Sequence, residues 1–267
     1  MFLQQLVTGI SVGGIYALLA TGYSLIYSLL DFSNWAHGEF AMVSAYVAIV
    51  LSSFMGMPFV LAAIGGMMGG ALVSFLCERL AYRRIRRNGA PNMFLMIAAM
   101  GLSNMFQQAA NLIFSGQYRS YPFKLPVSTI QVASAYIGVL DLVSLGITAV
   151  IIAILVYLIN KTQFGLNVRA IACNAHAAKV LGVKVDRCIA TVFVLAGALA
   201  GVAGVLYGMK YNVFPTMGNV GLKAFIASVI GGLGSVPGAI VGAIILGVIE
   251  TFVSAFVSSS LRDFFSF

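Results

Sequence analysis

Cys188–Met209 reads CIATVFVLAGALAGVAGVLYGM, 22 residues with no charge among them. At 1.5 Å per residue a helix of about 20 apolar residues crosses the hydrocarbon core of a bilayer. A soluble helix of this length would carry charges on its outer face at 3.6-residue spacing, and here there are none. Immediately upstream lie Lys161, Arg169, Lys179, Lys184 and Arg187, opposed only by Asp186. An apolar run preceded by a basic loop is the signature of a crossing that starts on the cytoplasmic side.

The same alternation extends outward. Charge is absent from Met1 to Leu30, Phe40 to Cys77, Asn88 to Tyr118, Leu142 to Asn160 and Ala224 to Ile249. A second basic cluster, Arg79, Arg83, Arg84, Arg86 and Arg87, is opposed only by Glu78. Of the 267 residues, 61% are hydrophobic and 8% charged, and the mean hydropathy is +1.01. Soluble domains carry about 25% charged residues, so lipid must cover most of this surface. The net charge of +8 follows from positive-inside loops and does not indicate a nucleic-acid partner. The N-terminal run lacks a basic n-region and continues as a long span, unlike a cleaved signal. Cys77, Cys173 and Cys188 have neither disulfide-framework nor zinc spacing, and no metal site is expected.

These intervals predict an all-α fold, a polytopic transmembrane bundle of about 7–8 membrane segments in a single domain over 1–267. Loops at about 78–90 and 160–187 are cytoplasmic, and the Ser/Tyr/Pro-rich loop 115–130 lies outside. Residues 3–30 form one span. Residues 40–77 are too long for one, and Gly56-Met57-Pro58 divides them. Three crossings before the first basic loop put Met1 outside, unless a broken segment near 31–40 changes the count. The run Gly231-Gly232-Leu233-Gly234-Ser235-Val236-Pro237-Gly238 cannot be one regular helix. It predicts a re-entrant element near 221–238: a half-helix, a break at membrane depth, then a helix over about 238–257. Small residues four apart, such as Gly9/Gly13, Gly66/Gly70, Gly197/Gly201 and Gly238/Gly242, are read as helix-packing glycines.

Three stretches carry more specific information. Tyr23-Ser24-Leu25-Ile26-Tyr27 followed by Asn34-Trp35-Ala36-His37-Gly38-Glu39 wedges polar groups between two spans, which demands partners or water. Its plainer reading is an interfacial loop anchored by Trp35. Arg169–Gly182 reads as a short amphipathic helix with Gly182 as its stop, large enough to dock a cytoplasmic partner. It matches E-A-A-x-x-x-G at Ala177, Ala178 and Gly182, with His176 in place of Glu. The third is the glycine run, with Lys223 before it and Glu250 after it. Glu250, the only acid between Asp186 and Asp263, is read as reaching the interface; the competing reading is an ion-coupling carboxylate.

Together, Gly13–Leu18 with Tyr23–Tyr27, Asn34–Glu39, Arg169–Arg187, Ala198–Leu206, Lys223–Phe225, Gly231–Gly238 and Gly247–Glu250 resemble, in order and across nearly the whole chain, one family. It is the LivH type of membrane permease from the high-affinity branched-chain amino acid ABC importers of the bacterial inner membrane. The resemblance implies a second related permease subunit, two cytoplasmic ABC ATPase subunits and an extracytoplasmic substrate-binding protein. The loop bearing Arg169, Asn174, Ala177, Ala178 and Gly182 would be the coupling helix. Family members continue past Ser258–Asp263 into another apolar helix, so the chain is expected to lack its final crossing.

No G-x-x-x-x-G-K-[ST] occurs, so ATP is expected on the partner subunits; no cofactor and no catalytic residue are expected here. H-E-x-x-H and G-x-S-x-G are absent as well. Tyr23, Asn34, His37, Glu39, Asn104, Gln107 and Gln108, with Gly231, Gly232, Gly234 and Ser235, are the candidate translocation path. Urea, short amides or other amino acids are alternative substrates on the same scaffold. A secondary transporter or channel is the competing class.

Overall fold

The computed structural model describes residues 2–122, 129–132 and 135–258. Its element order is α1 (Phe2–Leu30), α2 (His37–Ile49), α3 (Phe59–Cys77), α4 (Arg83–Arg87), α5 (Asn92–Phe114), β1 (Thr129–Val132), β2 (Ala135–Gly138), α6 (Val139–Lys161), α7 (Gln163–Cys173), α8 (Ala175–Val180), α9 (Val185–Tyr211), α10 (Val220–Gly231) and α11 (Val236–Phe256). A π-helical turn, Val50–Phe54, prolongs α2, and another, Glu78–Tyr82, joins α3 to α4 without interruption. Six helices among the described residues are long and apolar enough to cross a membrane: α1, extended α2, α3 through α4, α6, α9 and α11. The bundle is all-α apart from the β1–β2 ribbon, paired antiparallel with Thr129 opposite Gly138, in the loop read as external. The expectation of a missing last crossing falls beyond Ser258, outside the described residues.

α1 is apolar on every side, and the structure accordingly puts it at the centre. Its residues from Ser11 to Ile26 are all buried, enclosed by α11, α9, α10 and α6. Glycines bring these helices to backbone contact. A Cβ on Gly13 would lie 2.8 Å from the Ile244 Cα, one on Gly201 2.7 Å from the Met67 Cα, and one on Gly197 2.5 Å from the Gly70 carbonyl. In lipid no hydrophobic effect drives helices together, so such close van der Waals seams do that work.

The re-entrant element is displaced from where the sequence puts it. α10 has 12 residues, about 18 Å, too short to span. It ends at Gly232 and Gly234, whose φ angles of +94° and +86° suit glycine, and the Ser235 hydroxyl accepts from the Gly238 N–H to start α11 at 3.3 Å. Gly234 lies beside Tyr27 and Ser28, at the last turn of α1, where the Asp31 carbonyl accepts from Asn92 after the first basic loop. The glycine break is therefore at the end of the bundle that carries the basic loops. The irregular backbone at depth is instead the segment 212–219, which includes the 3-10 turn Pro215–Asn219. Val213 and Met217 are buried against Met42, Tyr46 and Tyr121. Because α10 starts already deep in the bundle, its 12 residues reach the far side.

Candidate functional site: a polar break and a basic arm

Residues 31–36 are a non-helical connection, with Asp31 at φ +50°, that climbs back into the bundle from the end of α1. His37 lands against Gly22, eight residues or about 12 Å short of that end. The backbone N–H of Ala36 donates to the Asn34 Oδ1 at 3.2 Å, which also accepts from the Tyr82 hydroxyl at 2.8 Å. Tyr82 sits in the π-helical turn of α3, so the break is held from two sides.

Polar atoms of this short stretch, Asn34 Nδ2, Trp35 Nε1 and Glu39 Oε2 among them, are buried and have no hydrogen-bond partner among the described residues. Buried polar atoms are normally satisfied, and clustered exceptions mark sites with a use for them. Glu39 lies in the first turn of α2, where the helix dipole favours an anion. Its Oε1 accepts from the Ser103 hydroxyl at 3.2 Å. The carboxyl packs flat on Gly218, where any Cβ would collide with it, while Gly221 lies against Gly38. Aromatic rings close the surroundings: Tyr23 meets His37 edge-on at 4.7 Å, and Phe225 lies 5.7 Å from Tyr23 and 6.0 Å from Trp35.

The eleven path candidates thus fall into three places. Tyr23, Asn34, His37 and Glu39 come together at the polar break. Asn104 and Gln108 are exposed on the outer side of α5, with Gln107 half-buried between them, and only their neighbour Ser103 touches the break. Gly231, Gly232, Gly234 and Ser235 stand at the C-terminal end of α1.

Two largely enclosed ion pairs escaped the sequence reading. Lys210 at the end of α9 pairs with Asp141 at the start of α6, and Asp141 also accepts from Thr8 at 3.3 Å while Ser11 bonds Ser144 at 2.8 Å. Lys223 of α10 pairs with Glu250 of α11 at 2.5 Å. Glu250 is 1% exposed, which corrects the expectation that it reaches the interface. Its helix end is covered by α10, and the lysine neutralises it there. Sequence separation hides such pairs; the available signal is one acid and one base flanking the same break.

The basic arm, α7–α8, is built from two helices where the sequence suggests one. Asn174, in extended backbone, ends α7 and caps α8, its side chain accepting from the Ala177 N–H at 2.9 Å. Gly182, at φ +87°, follows as the predicted stop. Ala178 is buried and Ala177 exposed, while Arg169 bonds the Ile159 carbonyl and ties α7 to α6. At the tip, Val180 and Leu181 are 76% and 84% exposed. Asp186, just beyond, accepts from Arg83 at 2.9 Å, Arg86 at 3.0 Å and Arg87 at 3.1 Å, and Arg86 also reaches the buried Glu78 at 3.2 Å. The two basic loops are therefore stapled together by Asp186, with Arg86 joining it to Glu78 in one network.

The family model for the branched-chain amino acid transport system permease component matches residues 5–267. The chain belongs to that family. The permease is 35% identical to the high-affinity branched-chain amino acid transport system permease protein BraD of Pseudomonas aeruginosa, over 89% of this chain and 81% of the relative. LivH of Escherichia coli, a protein of the same description, is 33% identical over the same shares. A probable branched-chain amino acid transport permease protein LivH from Methanocaldococcus jannaschii is 31% identical over 83% of this chain and 71% of its own. As a transport permease it is not itself an enzyme, and with its apolar helices it is an integral protein of the inner membrane. The permease also has no cluster of three or more metal-ligating side chains among the described residues.

Proposed function

We propose that this permease forms the translocation path for branched-chain amino acids in an ATP-driven importer. Its substrate arrives on an extracytoplasmic binding protein, a second related permease completes the channel, and two cytoplasmic ATPases bind and hydrolyse the ATP; the chain needs no cofactor of its own. The observation that carries the reading is the tip of α8. A large apolar pair, Val180 and Leu181, stands exposed on a basic cytoplasmic loop, next to a helix fixed by its own asparagine cap. Exposed apolar residues on a rigid, short element are docking chemistry, and the groove of an ATPase is the partner that the family's architecture supplies. Closure of the ATPases would move α7–α8, and Asp186 would carry that movement through Arg83 and Arg86 to α3. There Tyr82 holds Asn34, at the entrance to the polar break.

The experiment is Leu181→Asp and Gly182→Arg in the complete importer, scored for ATPase co-purification and labelled leucine uptake. Both variants are expected to lose the ATPases and uptake together while the permease remains in the membrane. Uptake at the unmodified rate with either variant would show that the loop does not couple.

A further inference from the structure

Three helices wall a groove on the outer surface of the bundle. α6 packs on α1 and α7, whereas α3 packs on α2 and α9. α3 and α6 therefore stand apart, with α9 as the floor between them. Adjoining hollows occupy the gap, the largest of about 690 Å³, and Met67 borders each of them. Among the described residues, neither a glycine nor a charged side chain lines them. The glycines of the two packed helices are spent within the subunit: Gly66 and Gly70 of α3 lie on Ser44 of α2, and Gly197 and Gly201 of α9 lie on α3. Small residues are what let a further membrane helix approach closely. The groove instead offers Ile, Leu, Val, Met and Phe, a surface suited to an acyl chain.

One end of the groove differs from the other. On each of the three helices the lining stripe runs into a cation at the end that carries the basic loops. On α3, Leu72 and Phe75 lead to Arg79; on α6, Ile154 and Leu158 lead to Lys161. On α9, followed backwards, Ala198 and Val194 lead through Thr191 to Arg187. Steps of three and four residues keep each set on one face. The Arg79 guanidinium lies 5.3 Å from the centre of the Phe75 ring, over the mouth of the groove. Lys161 and Arg187 are exposed and form no ion pair among the described residues. The neighbouring acids are engaged elsewhere. Asp186 is held by Arg83, Arg86 and Arg87, and the buried Glu78 takes Arg86 at 3.2 Å and reaches Arg79 only at 3.8 Å. At the opposite end, beside Met209, Lys210 is already paired with Asp141. From Arg79 to Met67 the helix rises about 18 Å, roughly the depth of one leaflet in a core about 30 Å thick.

We propose that this groove holds an anionic phospholipid from the leaflet on the side of the basic loops. Its phosphate sits among Arg79, Lys161 and Arg187, and one acyl chain lies along α9 between α3 and α6. Cations gathered between membrane helices are the chemistry that recognises an anionic headgroup, and the chain fills the seam that α3 and α6 leave open. The test uses the permease purified from its native membrane with the subunits that accompany it, stripped of lipid. It is titrated with phosphatidylglycerol or phosphatidylethanolamine of identical chains and followed by native mass spectrometry. One phosphatidylglycerol per permease is expected to bind at least about tenfold more tightly than phosphatidylethanolamine. The triple variant Arg79→Gln, Lys161→Gln and Arg187→Gln should bring the two lipids to equal affinity, and Ala198→Trp, which raises the floor, should weaken both. Equal affinity in the unmodified protein, or an unchanged preference in the triple variant, would overturn the proposal. Where a variant fails to accumulate, phosphatidylglycerol with a photoreactive group at its chain end is crosslinked to the unmodified protein. Adducts are expected at Met67 and Ile151; equal yields at Val241 and Ile245, exposed on α11, would overturn it. Benzoylphenylalanine at Ile154 separates lipid from protein as the occupant. A phospholipid adduct supports the proposal, and an adduct with another polypeptide means that a protein covers the groove and overturns it.

Discussion

Two kinds of acid lie inside this bundle, and they are treated oppositely. Asp141 and Glu250 each face a lysine from a neighbouring helix. Glu39, buried like Glu250 and more deeply than the part-buried Asp141, has one serine hydroxyl on Oε1 and nothing on Oε2 among the described residues. Charge taken out of water is tolerated when paired and expensive when not. The paired acids fasten helix to helix: α6 to α9, and α10 to α11. The unpaired one sits at the start of α2, against Gly218 of the irregular segment, with its neighbour Gly38 against Gly221 of α10. On the proposed path, a helix seam and a moving surface would be distinguished by whether the local charge is closed.

Breaking the closed side is expected to give the largest effect. Glu250→Ala removes the buried carboxylate that faces the part-buried Lys223 and should destabilise the protein by about 3–5 kcal/mol, read as lost membrane accumulation and a lower unfolding temperature in detergent. The double replacement Lys223→Met with Glu250→Leu should recover most of that loss. Recovery of both stability and uptake is the outcome for a structural pair. An ion-coupling carboxylate would leave the double variant stable but inactive.

Next in size is the packing that allows the pairs to form. Gly13→Val drives a branched side chain into the Ile244 backbone and should cost about 1–3 kcal/mol, measured by the same thermal assay. The equivalent change at Gly101, which faces open space, should leave the isolated subunit unchanged.

The cytoplasmic staple comes third. Asp186 is a third exposed and pairs with arginines at the surface, where each such pair contributes about 0–1 kcal/mol and is weakened by salt. Asp186→Asn should therefore leave folding nearly intact and ATPase co-purification normal, while leucine transported per ATP hydrolysed falls several-fold. An unchanged ratio would remove Asp186 from the transmission route.

Glu39→Gln should be smallest in stability, within about 1 kcal/mol, because an isosteric amide keeps the Ser103 contact without a buried charge. Its effect belongs to transport: uptake is expected to drop while assembly and unfolding temperature hold. A large loss of stability instead would make Glu39 a structural acid like the other two.

Much of the fold was legible in the chain itself, because the bilayer imposes length and polarity on every segment. Charge-free intervals outlined the spans, Gly232 and Gly234 marked a real break, and the fourfold-spaced glycines marked the seams. What was not legible depends on partners distant in sequence. Asp186 and Glu78 were visible as the only acids in two basic loops, but not as members of one network. Lys223 and Glu250 were visible on either side of the glycine run, but their meeting depends on α10 folding back along α11. The depth of the 212–219 segment was missed because nothing in its composition separates a re-entrant turn from an external loop. Asn34–Glu39 stood out correctly as polar groups between spans, whereas the α5 amides were grouped with them and lie on a different face.

The most direct test of the central claim is labelled leucine uptake by the complete importer in proteoliposomes, with ATP enclosed, binding protein outside and a protonophore added. The account predicts uptake that requires ATP and binding protein and persists when the proton gradient is collapsed. Uptake that vanishes with the protonophore while ATP is held constant would contradict it.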